Sequence, residues 1–218
     1  MSFPAWFHAL DLQLLYLINQ TWSRPWLDPI MARVSDFDTF RYPLAIAVIL
    51  TLIFGGFRGR QLLVLMAACL IIGDAIIDWD FKIAVNRSRP NETELHLRVV
   101  SVRQVTESVV QVQVAKGRSF TSGHAMKNVA LAMVACAIFG RWALWLWPWA
   151  ALVSYSRIYC ASHYPSDILG SWIVSLFYSY FILKTAAWLW REYAPARFPR
   201  LYAAHPVLFP CWPKLLRR

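Results

Sequence analysis

Five apolar windows, at roughly residues 40–57, 61–81, 122–140, 142–160 and 166–190, decide the solvent in which this chain folds. A helix needs about 17 to 25 mostly apolar residues to cross a bilayer core, and each window comes close. With 58% hydrophobic residues, 12 Trp and a mean hydropathy of +0.42 over 218 residues, the rest of the chain cannot restore the balance of a soluble globule. The expected fold class is an all-α integral membrane bundle of five transmembrane helices. Residues 5–20 are shorter and interrupted by His8, Asp11, Gln13, Asn19 and Gln20, so they read as an N-terminal amphipathic helix in the interface. The alternative is a sixth, short span. Met1 to Gln20 has neither the basic start nor the small-residue cleavage site of a secretory signal.

The length suits a single domain, 1–218, divided into an N-terminal interfacial segment (1–39), a long loop (82–121) and a basic tail (191–218). Four Cys are present, with Cys69 and Cys136 inside apolar runs and no C-x-x-C spacing, so neither a disulfide framework nor a zinc site is expected. A formal charge of +10 raises nucleic acid as a partner, but the cations flank the membrane segments instead of massing on a soluble module. Membrane lipids are the expected partner; no nucleic acid and no obligate protein partner is implied. Arg58, Arg60, Arg141, Arg191, Arg197, Arg200, Lys214, Arg217 and Arg218 face the cytoplasm under the positive-inside rule. That orientation sends residues 82–121 and 161–165 to the extracytoplasmic side.

The long outer loop opposes the rule, since Lys82, Arg87, Arg89, Arg98, Arg103, Lys116 and Arg118 outnumber Glu92, Glu94 and Glu107. A loop that must hold phosphate has its own reason to be basic. Within it, Val110 to Val114 alternates strictly with glutamine, and Leu95 to Val105 is rich in valine, a pattern that predicts a small β-hairpin over the membrane surface. Trp142, Trp145, Trp147 and Trp149 crowd the start of the fourth window, and Trp188 and Trp190 the end of the fifth. They read either as an interfacial belt or as packing between helices.

Three polar islands interrupt this apolar pattern: Lys82 with Arg89-Pro90, then Ser122-Gly123-His124, then Ser156-Arg157 with His163 and Asp167. The planar guanidinium of Arg89 or Arg157 can bind two phosphate oxygens side by side, while Lys82 supplies a compact, mobile charge. Ser122-Gly123-His124 opens a helix, where unpaired NH groups and the helix dipole favour an anion. Pro165 breaks the chain between the fourth and fifth spans, leaving His163 in a turn and Asp167 at a helix start. Each island alone has an ordinary explanation: snorkelling cations, a helix cap, a His and Asp paired at a helix start. Asp74 and Asp78 are four apart on one helix face, with Asp80 close by, and are expected to pin Lys82, Arg157 or Lys127.

Arranged as K-x6-R-P, S-G-H and S-R-x5-H-x3-D, the islands resemble the type 2 phosphatidic acid phosphatase superfamily, in its integral-membrane branch acting on lipid phosphates and diphosphates. The resemblance covers Lys82 to Asp167 with the flanking helices. It implies that His163 is a nucleophile forming a phosphohistidine, that Asp167 orients it, and that His124 protonates the leaving oxygen. It further implies that Lys82, Arg89, Ser122, Gly123 and Arg157 hold the phosphoryl oxygens, with no metal and no cofactor required. Thr121 departs from the pattern, which commonly has proline there. The implied activity is a membrane lipid phosphatase, leaning to undecaprenyl diphosphate, with lipid A phosphate, phosphatidylglycerol phosphate and phosphatidate as other substrates. A lipid phosphotransferase with an alcohol acceptor is the alternative on the same site. A transporter would place polar residues at mid-bilayer on interrupted helices within an internal repeat, whereas here the chemistry gathers at one edge.

Overall fold

A computed structural model describes residues 4–94, 97–102 and 118–211, without the side chains of residues 74 and 75. The expected hairpin at Val110 to Val114 and the side chain of Asp74 lie outside the described residues. Helix α1 (Ala5–Tyr16) runs through a π-turn (Leu17–Thr21) into a short connection, followed by α2 (Asp28–Ser35) and α3 (Phe37–Phe54). Asp36 starts α3 by accepting the Thr39 NH at 3.0 Å. Gly55 and Gly56 reverse the chain, Gly56 at φ +56°, where a side chain would be strained. One 30-residue helix, Gly56–Val85, follows; it consists of α4 (Gly56–Leu70), a π-helical stretch (Ile71–Asp78) and α5 (Trp79–Val85). Asn86 ends it in the left-handed conformation, which asparagine tolerates. The single turn α6 (Pro90–Thr93) precedes α7 (Gly123–Phe139), α8 (Leu146–Tyr159), α9 (Pro165–Arg197) and α10 (Pro199–Ala204).

Helix α7 is the centre of the bundle, packed against α9, α8 and α4. Its inner residues Ala125, Val129, Ala130, Ala132 and Val134 are wholly buried. In lipid the apolar tails compete for the same contacts, so close backbone approach through small residues carries the packing. Ser171, Ser175 and Ser179 form the matching stripe on α9, all fully buried, and the Ser175 hydroxyl donates to the Met126 carbonyl at 2.7 Å. By contrast, α3 leans on α4 and α2 and leaves Leu44, Ile46, Ile49, Leu52 and Phe54 exposed, a face suited to acyl chains.

Among the described residues, four helices are long and apolar enough to cross a membrane: Phe37–Phe54, Gly56–Val85, Gly123–Ala143 and Pro165–Arg197. The expected window at 142–160 is shorter than it read. Its first residues belong to a 3₁₀ turn, Gly140–Ala143, and α8 itself has only 14 residues. The N-terminal segment also departs from a simple interfacial helix. Asp11 and Asn19 turn inward and are buried, while Trp6, Leu10 and Leu14 face out, because the polar partners of those two residues lie inside. Asn19 donates to the carbonyls of Arg98 and Tyr159 and accepts the Arg98 NH, tying the segment around Arg98 to the end of α8. The tryptophans divide between the two expected roles. Trp142, Trp145 and Trp188 are exposed, whereas Trp149 packs on Phe40 and donates to Asn128.

Candidate active site

The end of α5, the start of α7, the end of α8 and the start of α9 meet at one end of the bundle, and these are the positions of the three islands. Backbone bonds join the first island to the approach to the second: Ser88 pairs with Arg118, and the Ser119 NH donates to the Arg87 carbonyl at 2.7 Å. The Thr121 hydroxyl donates to buried Asp78, whose second oxygen holds Lys82 Nζ at 2.5 Å. Of the three cations that Asp78 was expected to pin, it takes Lys82. Thr121 thus stands where a proline was expected and makes a bond proline cannot make. The Ser122 NH donates to Ser171 Oγ at 2.7 Å, fixing the start of α7 against α9. Gly170 permits this approach, because a Cβ there would sit 2.5 Å from the Phe120 ring.

Among the described residues, Arg89 and Arg157 differ from Lys82 in having no carboxylate in contact. Arg157 Nη1 donates to the carbonyl and hydroxyl of Ser35, at 2.8 and 2.5 Å, and its Nε is buried without a partner. The Arg89 Nε and the Ser122 hydroxyl are likewise buried and unpartnered. Such atoms cost about 1–3 kcal/mol each when left unsatisfied, and three of them belong to expected phosphate-binding residues. Burial pushes the Arg89 guanidinium below its ordinary pKa, and Glu92, Asp167 and Asp78 pull it back. It stays a cation at any physiological pH.

His163 lies in the turn between α8 and α9, 2% exposed, with Nδ1 at 2.7 Å from the Ser119 carbonyl. A carbonyl can only accept, so Nδ1 carries the proton and Nε2 keeps the lone pair. Burial, then the charges of Arg157 and Arg89, push the imidazole well below its ordinary pKa of 6.5. The Ser119 bond opposes that shift, and His124 adds to it, which puts both histidines within one another's field.

Asp167 is brought to the site but does not touch the imidazole. One oxygen accepts the Tyr164 NH at 3.0 Å, closing a capping box at the start of α9, and the other accepts from Arg87 Nη1 at 3.0 Å. Asp167 was expected to orient His163; the group in contact with the ring nitrogen Nδ1 is the Ser119 carbonyl. Asp167 acts instead on the backbone of the next residue.

The sequence model of the PAP2 superfamily matches residues 42–191, more than half of the chain and all three islands. The chain belongs to the PAP2 superfamily. It is 34% identical over 89 residues to a lipid A 4'-phosphatase of Porphyromonas gingivalis, a match covering 40% of this chain and 36% of that protein. The aligned stretch is thus about a third of the length of that curated relative. The fold is similar to the crystal structure of Aquifex aeolicus LpxE, with a TM-score of 0.61 at 22% identity, covering 80% of this chain and 95% of that one. It is also similar to a transmembrane PAP2-type phosphatidylglycerolphosphate phosphatase from Bacillus subtilis, with a TM-score of 0.60 at 17% identity over 87% and 90% of the two chains. A membrane fold shared with these relatives and four apolar helices make this PAP2 chain an integral membrane protein.

Reading the sequence of this PAP2 protein by motif missed Asp11, Ser35, Arg87 and Ser119. Ser35 and Ser119 act through or beside backbone carbonyls, which leave no trace in residue type. Arg87 sits inside the x6 of K-x6-R-P, two residues before Arg89. Asp11 did carry a signal, being a carboxylate in an apolar helix with no Lys or Arg within four residues.

Proposed function

We propose that this protein is a lipid phosphatase that hydrolyses a lipid phosphate at the extracytoplasmic face of a bacterial cytoplasmic membrane, through a phosphohistidine on His163. The observation that carries this reading is the tautomer imposed by Ser119: a neutral imidazole with its lone pair on Nε2, within the field of two arginines whose Nε atoms are buried and unpartnered. Cationic surroundings do double duty, holding His163 neutral and attracting the anion it attacks.

In the first step the Nε2 lone pair forms a P–N bond as the P–O bond to the lipid breaks in line. His124 gives its proton to the departing oxygen, releasing the lipid alcohol, or the lipid monophosphate from a diphosphate. Arg89, Arg157, Lys82, Ser122 Oγ and the Gly123 NH spread the charge on the phosphoryl oxygens. Water then attacks phosphorus, the P–N bond breaks, His124 recovers a proton from that water, and inorganic phosphate leaves.

The stretch 34% identical to a lipid A 4'-phosphatase favours a glycolipid phosphate monoester of the lipid A class as substrate. Undecaprenyl diphosphate, phosphatidylglycerol phosphate and phosphatidate complete the panel that tests it. Phosphate release from each lipid is measured in detergent with no alcohol acceptor, with and without chelator, for wild type and His163→Ala. Release by wild type alone, unchanged by chelator, is the expected result. Release that appears only when an alcohol is added makes the protein a phosphotransferase, and activity surviving in His163→Ala overturns the mechanism.

A further inference from the structure

We infer that Arg87, gripped by Asp11 from the N-terminal helix, is the positioning residue that sets His163. Resting on the phosphohistidine reading above, the inference assigns α1 a part in catalysis. Arg87 has a 10% exposed side chain whose Nη2 lies 2.6 Å from Asp11 Oδ2 and whose Nη1 lies 3.0 Å from Asp167 Oδ1 and 2.8 Å from Ser166 Oγ. Its guanidinium carbon stands 3.6 Å from the centre of the Tyr164 ring. Both ends of the fork are therefore occupied by carboxylates and a hydroxyl, a poor arrangement for receiving a phosphate.

What Arg87 does instead is hold both neighbours of the nucleophile. On one side, its ring contact and its bond to Asp167 fix Tyr164, whose own NH is on Asp167, immediately after His163. On the other, its carbonyl takes the Ser119 NH at 2.7 Å, and the carbonyl of the same Ser119 takes His163 Nδ1 at 2.7 Å. Asp11 completes the clamp by accepting Arg87 Nη2, the Ser166 NH at 2.9 Å and the Ser166 hydroxyl at 2.5 Å. Losing its charge frees Arg87 to turn toward Asp167 alone and lets the His163 ring drift. In-line attack requires the nitrogen about 3 Å from phosphorus on the correct axis, so a small drift slows the step without weakening substrate binding.

The test uses the full-length protein in detergent and the ³²P-labelled panel lipid that wild type hydrolyses fastest, with phosphohistidine trapped by rapid alkaline quench. Asp11→Asn is expected to slow phosphohistidine formation in a single turnover about tenfold while the dissociation constant of the lipid and the proportion of folded protein in a detergent melt stay within twofold of wild type. Arg87→Gln slows it further, Arg87→Lys restores part of the rate, and the double variant Asp11→Asn/Arg87→Gln is no slower than Arg87→Gln alone. A wild-type rate in Asp11→Asn overturns the inference. So does a reduced trapped amount formed at the wild-type rate, which is loss of folded enzyme, and so does a double variant whose loss is the product of the two singles. Should Arg87→Gln fail to fold, Asp11→Asn and Arg87→Lys decide the matter alone. If wild type hydrolyses lipid yet traps no phosphohistidine, the proposed chemistry fails and this inference with it; if only the variants behave like wild type, the chemistry stands.

Discussion

At the site end of the bundle Asp11, Asp78, Asp167 and His163 are all buried, and each is held by charge or by a directed hydrogen bond. The opposite end is closed by quieter means: Phe57 stacks on His205 at 4.2 Å, Trp190 donates to the His205 carbonyl and Gln61 to the Leu208 carbonyl, both at 2.9 Å. Breaking one member of a buried ion pair costs about 3–5 kcal/mol, whereas a neutral hydrogen bond is worth about 1 kcal/mol. A bundle of this kind closes an end without buried charge, as the tail shows. The charges at the other end are thus better explained by the anion they meet than by stability.

The sharpest way to separate the two ends is His163→Ala, expected to lower phosphate release by at least about 10⁴-fold with the melting temperature unchanged in a detergent melt. Next, Arg89→Gln should lower kcat/KM by about 10² to 10³, the usual loss of one charge-stabilising donor. It carries a pH signature as well. Wild-type His163 must be neutral to attack, and burial together with Arg157 and Arg89 depresses its pKa, so the acid limb of kcat/KM lies below pH 6.5. Removing one repelling cation raises that pKa, and the limb moves toward higher pH in Arg89→Gln. A limb that stays put would mean that Arg89 is too distant to act on the imidazole.

Asp78→Asn is a smaller break, since Lys82 and Thr121 keep a polar partner but lose its charge. A fall of about tenfold in kcat/KM is expected, equivalent to about 1.4 kcal/mol. Hydrolysis and melting both unchanged would remove Asp78 from the site. At the far end, Gln61→Ala should leave turnover within twofold and lower stability by about 1 kcal/mol, read as the shift of a denaturant midpoint. Equal losses of turnover from Gln61→Ala and Asp78→Asn would erase the contrast between the two ends.

Much of the fold was legible because lipid demands long apolar runs, and runs at 40–57, 61–81, 122–140 and 166–190 lie in helices long and apolar enough to cross a membrane. The run at 142–160 is less regular than its hydropathy, which counts Trp142 and Ala143 as readily as helix while a 3₁₀ turn uses the same residues. Lys82, Arg89, Ser122, His124, Arg157, His163 and Asp167 were visible as islands because three motifs, each with an ordinary explanation alone, occur together in one chain. Their partners were not. Whether Asp167 meets His163 or Arg87 depends on the turn at Tyr164, and pairing Asp11 with Arg87 spans 76 residues, beyond any local pattern. Reading residues 5–20 as amphipathic assumed that their polar residues look toward water, and the reverse holds for Asp11 and Asn19.

Helix α8 has 14 residues, about 21 Å of rise, beside neighbours long enough for the roughly 30 Å of hydrocarbon in an average bilayer. A helix of that height cannot match an average hydrocarbon layer by itself, so any lipid touching α8 would have to thin to meet it. Phosphate release by the protein reconstituted in bilayers of increasing acyl length is therefore expected to fall as the host membrane thickens, with no change in a single side chain.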